Sequence, residues 1–175
     1  MGEMTGEQAV FLLQDVYMGA LKNEGKITAQ ILAAVPADKS SYRPDPASMS
    51  AIELVRHVAN AEPRFLGCVL KGEFDTGPST IPEGLTPAEI VAHYEARFAK
   101  DFEALSKATP EQLTKPINFR GMFTMPAVKY VMMGLHHTIH HRGQLSSYLR
   151  CMGAKVPSIY GESYDAAQAR KAAGG

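Results

Sequence analysis

The sequence predicts an all-α protein, a four-helix bundle built from one domain. Four stretches carry apolar side chains at steps of three and four residues, the spacing that places them on one face of an α-helix. Segments rich in proline and glycine separate these stretches and end each helix. The chain has 175 residues, of which 45% are hydrophobic, so it is long enough to bury one substantial core. We therefore expect a single domain over residues 1–175.

The first two predicted helices lie on either side of a proline-rich connector. Helix one is expected from about residue 7 to residue 35, because apolar residues recur there at helical steps and Pro36 then ends the pattern. The connector finishes on Ser48 and Ser50, either of which can cap the next helix. Helix two is expected over about residues 49–70.

The third and fourth helices are separated by a long connection. A capping box with the sequence Thr-Pro-Ala-Glu predicts a helix over about residues 86–107, with proline at its first position. Residues 109–126 hold several turn residues and predict an irregular connection or a short hairpin. A fourth helix, over about residues 126–152, is apolar on two sides, which fits a central place in a bundle or a helix that also supplies a dimer face. Residues 153–175 then form a tail.

Charge and composition exclude several classes of function. Lysine plus arginine and aspartate plus glutamate are equal at 18 each, so there is no basic surplus for binding a nucleic acid. No stretch approaches the roughly 18 apolar residues of a membrane span. The two cysteines, Cys68 and Cys151, lack the spacing of a metal or redox pair and are expected to be reduced thiols. These features predict a cytoplasmic protein without nucleic-acid or membrane partners.

Four of the six histidines fall within one short helical segment. Residues four apart lie on the same helix face, with Cβ atoms about 5–6 Å apart, so His136 with His140 and His137 with His141 can each share one metal ion. Imidazole nitrogens bind zinc at about 2.0–2.1 Å, a distance that two rings one turn apart can reach. The two pairs overlap and offer alternative sites, and helical periodicity does not choose between them. Neither pair encloses the glutamate of a zinc-protease motif.

A stable site needs a third ligand from elsewhere in the chain. His57 is the better candidate because it flanks an apolar stripe of helix two, whereas His93 lies in a more charged stretch. A lone histidine beside an apolar face is nevertheless more often an ordinary packing residue. For a closed structural site, His136, His140 and Cys68 would be the candidates for a fourth ligand.

The segment HTIHHRGQLSSYLR (residues 137–150), which is followed by GAKVPSIYG (residues 153–161), resembles the end of members of the DinB family of metalloenzymes. Weaker likeness extends back to Tyr-Arg-Pro at residues 42–44 and to ELVRHV at residues 53–58, which includes the histidine usual at that place. The resemblance covers nearly the whole chain.

The resemblance implies an up-down-down-up four-helix bundle that carries one divalent metal ion, with zinc or nickel favoured. It implies that His57, His137 and His141 are the ligands and that His140 is not. Three histidines leave a fourth coordination position open for water or substrate. Relatives in this family include enzymes that use low-molecular-weight thiols, so the resemblance implies a transferase or hydrolase in which the ion activates a thiol cosubstrate or water toward a small-molecule substrate. A homodimer is expected.

The alternative interpretation is a non-catalytic protein. In that case the chain is a metal-binding or ligand-binding stress-response bundle that acts as a dimeric interaction module, and the ion is structural or absent. Loss of activity with retained folding, after mutation of the ligands, would distinguish an enzyme from a protein that needs the ion to fold.

The sequence does not identify a general base for either reaction. Glu62 follows His57 on helix two, but a helical wheel places it about 140° away, which favours a supporting or structural carboxylate. Arg142, Gly143 and Gln144 can form a polar grip on the substrate. Equally, Gly143 can permit close helix approach while Arg142 pairs with an acidic neighbour.

Overall fold

The computed structural model describes residues 4–174 and confirms the all-α fold class. Within these residues, a two-stranded hairpin accompanies the helices. The elements are α1 (Gly6–Phe11), α2 (Met18–Ala33), α3 (Ala51–Lys71), α4 (Pro87–Leu105), α5 (Pro110–Thr114), β1 (Pro116–Phe119), β2 (Phe123–Pro126), α6 (Lys129–Cys151) and α7 (Tyr164–Ala172). None of the helices in this part of the chain combines the length and apolar character needed to cross a membrane.

The first long helix is continuous but changes its winding. Leu12–Tyr17 form a π-helix between α1 and α2, and two of its side chains, Leu13 and Tyr17, are buried. The next helix, α3, begins with a capping box at Ser50, whose hydroxyl accepts from the Glu53 amide while the Glu53 carboxylate accepts from the Ser50 amide. Of the two serines that the sequence offered, Ser50 is therefore the cap.

The helices α3 and α6 pack against each other in opposite directions. Near the start of α3, Tyr148 donates a hydrogen bond from its hydroxyl to the Met49 carbonyl at 3.2 Å. Two turns before the end of α3, Phe65 packs against Gly134, in the first half of α6. The start of α3 therefore lies beside the end of α6, and the end of α3 beside the start of α6, so the two helices are antiparallel.

The helix α4 runs parallel to α3 and antiparallel to α2. Glu62 contacts Tyr94, and one turn further along both helices Gly67 lies beside Arg97. The Tyr94 hydroxyl donates to the Gly25 carbonyl of α2 at 3.5 Å, and the Gln14 side-chain amide in the π-helical segment donates to the Ser106 carbonyl at 3.0 Å. The earlier residue of α2 thus meets the later residue of α4, so these two helices are antiparallel. With α3 and α6 antiparallel, the four long helices run up, down, down and up in chain order.

Because α3 and α4 are parallel, the chain must run back from the end of α3 to the level of its start before α4 begins. Residues 72–86 make this return along α3, and the polar side chains of Arg56, Asn60 and Arg64 hold it there, because they lie one turn apart on a single face. The bonds run from Arg64 to the carbonyls of Gly77 and Pro78 (2.6 and 2.7 Å), from the Thr80 amide to Asn60 (3.3 Å) and from Arg56 to the Ile81 carbonyl (3.0 Å).

The connection between α4 and α6 forms α5 and the hairpin. Strand β1 pairs antiparallel with β2, and Phe119 lies opposite Phe123 at the turn. Arg120 and Gly121 occupy the turn, both with positive φ. Tyr130 at the start of α6 donates to the Ile117 carbonyl at 2.8 Å and so fixes the hairpin against the bundle.

Candidate metal centre

Three histidine side chains from two helices meet in the groove between α3 and α6. His57 comes from α3, whereas His137 and His141 lie one turn apart on α6. The Nε2 atom of His57 is 3.0 Å from Nε2 of His137 and 3.2 Å from Nε2 of His141. One nitrogen from each ring lies within 4.8 Å of the others, so the group could hold a metal ion.

The spacing of these nitrogens fits a shared cation. Atoms that lie about 2.0–2.1 Å from one tetrahedral ion are separated from each other by about 3.3 Å, close to the distances seen here. Hydrogen bonding alone does not explain the cluster, because Nε2 of His57 faces two nitrogens and carries at most one proton. In residues 4–174, no further histidine, cysteine or carboxylate joins the group. An ion at this point would therefore keep an open coordination position.

A chain of hydrogen bonds orients His141. Its Nδ1 lies 3.0 Å from the amide oxygen of Gln144, which can only accept, so Nδ1 carries the proton and Nε2 presents its lone pair. The Gln144 amide nitrogen donates to the Tyr148 hydroxyl at 3.2 Å, and Tyr148 donates in turn to the carbonyl of Met49, just before α3. Sequence reasoning missed this role of Gln144, although its position three residues after His141 was the available signal.

Burial keeps the histidines in the form that binds metal. The pKa of His137 is lowered to about 4, mainly by removal of the ring from water, with smaller effects from His141, His57 and His140. Burial also lowers the pKa of His57, with a smaller effect from His141. Neutral imidazole is the ligand form, so both rings are ready for a cation at neutral pH. The Nδ1 atom of His137 is buried without a hydrogen-bond partner in the described chain.

The remaining histidines and the cysteines are not members of this group, although the ring of His140 lies 4.9 Å from that of His141 between ring centres. His136 and His140 are on the exposed side of α6, and His93 is exposed on α4. The thiol of Cys68 is buried and donates to the Phe65 carbonyl at 3.1 Å, and burial raises its pKa to about 12. Of the two overlapping histidine pairs in the sequence, the structure places the second beside His57.

Arg142 does not reach toward the histidines but is buried in the bundle interior. Its guanidinium forms an ion pair with Glu24 of α2 and donates to the Tyr160 hydroxyl at 2.7 Å. The expected pairing with an acidic neighbour is therefore observed. The expectation for Gly143 is wrong: an added Cβ there would meet nothing within 4 Å, and the close approach of the helices occurs at Gly134 instead.

Glu62 also lies inside the bundle, away from the histidine group. It is fully buried and accepts a hydrogen bond from the Tyr94 hydroxyl. Burial raises the pKa of Glu62 to about 7, against the opposing effects of the Tyr94 hydrogen bond and the positive charge of Arg142. The structure thus places this carboxylate in an interior polar network.

A cavity of about 320 Å³ opens beside the histidines. His57 and His137 form one end, and side chains of α3, α6 and the hairpin form the walls. The other lining residues are Asn60, Ala61, Arg64, Phe65, Phe74, Phe119, Arg120 and Met133. A small molecule in this cavity would contact His57 and His137.

Comparison with known proteins identifies the family and agrees with the fold. The sequence model of the DinB family matches residues 10–172, so the chain belongs to the DinB family. The protein YjoA of Bacillus subtilis is 28% identical over 129 residues, which cover 73% of this chain and 82% of YjoA.

Two crystal structures of DinB-like proteins share the fold. That of Bacillus subtilis YjoA superposes with a TM-score of 0.66 at 23% identity and covers 82% of this chain and 96% of its own. That of a Bacillus cereus protein gives 0.71 at 23% identity and covers 84% of this chain and 97% of its own. At this identity the likeness establishes the fold alone.

Proposed function

We propose that the protein is a metal-dependent enzyme, a transferase or hydrolase in which one divalent ion bound by His57, His137 and His141 activates a thiol cosubstrate or water. The observation that carries the proposal is the convergence of three histidine nitrogens beside a cavity that His57 and His137 line. In residues 4–174, no fourth side chain of ligand type joins this group. Structural zinc sites are typically closed by four protein ligands, so this arrangement favours a reactive site.

The side chains around the group support such a role. Burial keeps His57 and His137 unprotonated, and Gln144 holds His141 with its Nε2 lone pair directed at the other two rings. When bound, a divalent ion would supply Lewis acidity and lower the pKa of a coordinated water or thiol. The apolar walls of the cavity, which include Phe65 and Met133, would limit the access of bulk water to the reacting groups.

The first experiment measures zinc and nickel bound per chain in untagged protein by elemental analysis. The wild type is compared with His57→Ala, His137→Ala and His141→Ala. The matched controls are His136→Ala and His140→Ala, because these residues lie on the same helix but outside the group. We expect about one ion per chain in the wild type and both controls, and loss of the ion in each of the three variants.

Circular dichroism of the same proteins separates a reactive ion from a structural one. Retained helicity in the metal-free variants supports an open reactive site, and thiol-transfer and hydrolysis substrates are then tested with the loaded wild type. Collapse of helicity in all three variants would instead indicate a structural ion. Equal metal binding in the three variants and the two controls would refute the proposed ligand set.

A further inference from the structure

We propose that the cavity beside the histidines binds a small organic anion, with the charged end of the ligand held by Arg120 and Arg64 and its apolar body packed on Phe74 and Phe119. This inference rests on the proposed function, since it names the class of substrate for the same site. The four residues come from three separate segments, namely α3, the return loop and the hairpin, and converge on one cavity.

Arg120 is placed at the mouth of this cavity by an unusual backbone conformation. It has a φ of 54° and is followed by Gly121 with a φ of 77°, and the Met122 amide donates to the Phe119 carbonyl at 2.9 Å across the turn. Two central residues with positive φ define a type I′ turn, which strongly prefers asparagine followed by glycine. Arginine is a strained choice for this position, and such strain tends to occur where a side chain contacts a ligand.

The guanidinium of Arg120 packs over the rings of Phe74 and Phe119. Its Cζ atom lies 5.7 Å from the ring centre of Phe74 and 5.8 Å from that of Phe119, within the range of cation–π attraction. The two rings contact each other edge to face at 4.6 Å. A guanidinium packed on a ring face keeps its N–H groups at the edge, where they can bind a carboxylate or phosphate with two hydrogen bonds.

Arg64 provides a second positive charge that is already held in place. Its Nη2 atom donates to the carbonyls of Gly77 and Pro78 in the return loop, so the side chain loses little freedom when a ligand binds. Within residues 4–174, Arg120 takes part in no ion pair and no aspartate or glutamate lines the cavity. Asp75 lies close to Arg64, and its pKa is lowered mainly by the Gly77 amide, with a smaller effect from the charge of Arg64. Arg120 is therefore the cation that a ligand anion would meet without a competing carboxylate in the cavity lining.

The apolar wall leads from the arginines to the histidines. Phe65 lies 5.3 Å from Phe74 and 5.6 Å from the ring of His137, measured between ring centres. A ligand anchored by Arg120 would therefore extend along aromatic rings toward the proposed metal position. The cavity volume of about 320 Å³ is at the lower end for small-molecule sites, which indicates a ligand of about one ring with a short acidic arm.

The test uses phenylacetate as the anionic probe and phenylacetamide as its neutral counterpart, with binding measured by calorimetry on metal-free protein. Metal-free protein is used because a carboxylate can also bind zinc directly. The key variant is Arg120→Asn, which removes the charge but suits the type I′ turn and should fold at least as well as the wild type. The matched control is Arg170→Asn, on α7 and outside the cavity.

We expect phenylacetate to bind the wild type and Arg170→Asn at least about tenfold more tightly than phenylacetamide does, and Arg120→Asn to lose this preference. Zinc content should be equal in all three proteins. If phenylacetate binds Arg120→Asn as well as it binds the wild type, or binds no more tightly than phenylacetamide, the anion site is refuted. An Arg120-dependent preference in a protein that takes up no metal would support the anion site while refuting the proposed enzyme.

Discussion

Gln144 shows how one uncharged side chain controls the chemistry of a neighbouring ligand. Its amide oxygen holds the proton of His141 on Nδ1, and its amide nitrogen is held by Tyr148, so the amide cannot turn over without losing both contacts. The last bond of the chain, from Tyr148 to Met49, joins α6 to the segment that begins α3. The orientation of one ring is thus coupled to the packing of two helices.

Replacement of this amide should weaken metal binding without affecting the fold. For Gln144→Ala we expect zinc affinity to fall about tenfold or more, since loss of such a supporting hydrogen bond leaves the ring free to rotate and to change tautomer. The measurement is a zinc titration against a competing chelator. Gln30→Ala, an exposed glutamine on α2, is the matched control. Equal affinity of the two variants would contradict the role of Gln144.

Glu62 should make folding stability depend on pH. Burial raises its pKa from 4.5 to about 7, so the folded state holds the proton more tightly than the unfolded state does. The stabilisation is complete below about pH 4.5 and is lost as the pH rises toward 7. At about 1.4 kcal/mol per pKa unit, the loss is roughly 3 kcal/mol.

The Glu62→Gln variant isolates this effect, because both proteins carry the same histidines. We expect the free energy of unfolding of the variant, relative to wild type, to increase between pH 4.5 and pH 7.5. Urea denaturation at several pH values measures it. Glu95→Gln, at an exposed residue of α4, is the matched control for the loss of one carboxylate. If the difference for Glu62→Gln changes with pH no more than that for Glu95→Gln, the buried carboxyl does not titrate in this range.

At the scale of helices, the contact between α3 and α6 brings His57 to the α6 pair. The helices approach at Gly134, where a Cβ atom would lie 2.5 Å from Cβ of Phe65. Phe65 also packs on the ring of His137, so the spacing of the helices and the position of this ring are set together. Any larger residue at Gly134 would move the helices apart.

Two glycines of the same helix provide a matched pair of substitutions. Gly134→Ala should destabilise the protein by about 1–3 kcal/mol through overpacking and should also weaken zinc binding by separating His57 from His137. Gly143→Ala meets nothing within 4 Å and should stabilise the helix by about 0.5–1 kcal/mol with zinc binding unchanged. Urea denaturation and zinc titration measure both effects. Similar behaviour of the two variants would contradict the close contact at Gly134.

At the scale of the whole molecule, the proposed ion would connect two helices that are far apart in sequence. His57 and His141 are separated by 84 positions along the chain, and the return loop, α4 and the hairpin lie between them. An ion that binds only the folded chain stabilises it in proportion to the logarithm of its concentration. The homodimer expected from the sequence remains a prediction, which light scattering can test.

Zinc should therefore stabilise the protein only when the three proposed histidine ligands are present. At free zinc about 100-fold above its dissociation constant, we expect the free energy of unfolding to rise by about 2.7 kcal/mol. His136→Ala should show the same increase, whereas His141→Ala should show almost none. Chemical denaturation with and without zinc measures the difference. An equal increase in His141→Ala would indicate that zinc stabilises the fold from another position.

The sequence by itself determined the helices, the capping box that begins at Thr86 and the two candidate histidine pairs. These features depend on residues three or four positions apart, such as Thr86 with Glu89, and on prolines such as Pro36 that end a helix wherever it lies. The spacing of His137 and His141 is a local property of the same kind. Such signals survive in a single sequence because neighbours in the chain remain neighbours in the fold.

Helical periodicity left both histidine pairs open, and the family resemblance favoured His137 with His141, but only the tertiary structure brings this pair to His57. It alone decided where the helices approach and which side chains line the cavity. The rotation of α6 about its axis is set by distant contacts, among them Phe65 with Gly134 and Glu24 with Arg142. Arg120 reaches the cavity because a turn and a return loop bring separate segments together. Helical periodicity and caps do not predict these contacts, because the contacts depend on the packing of residues that are far apart in sequence.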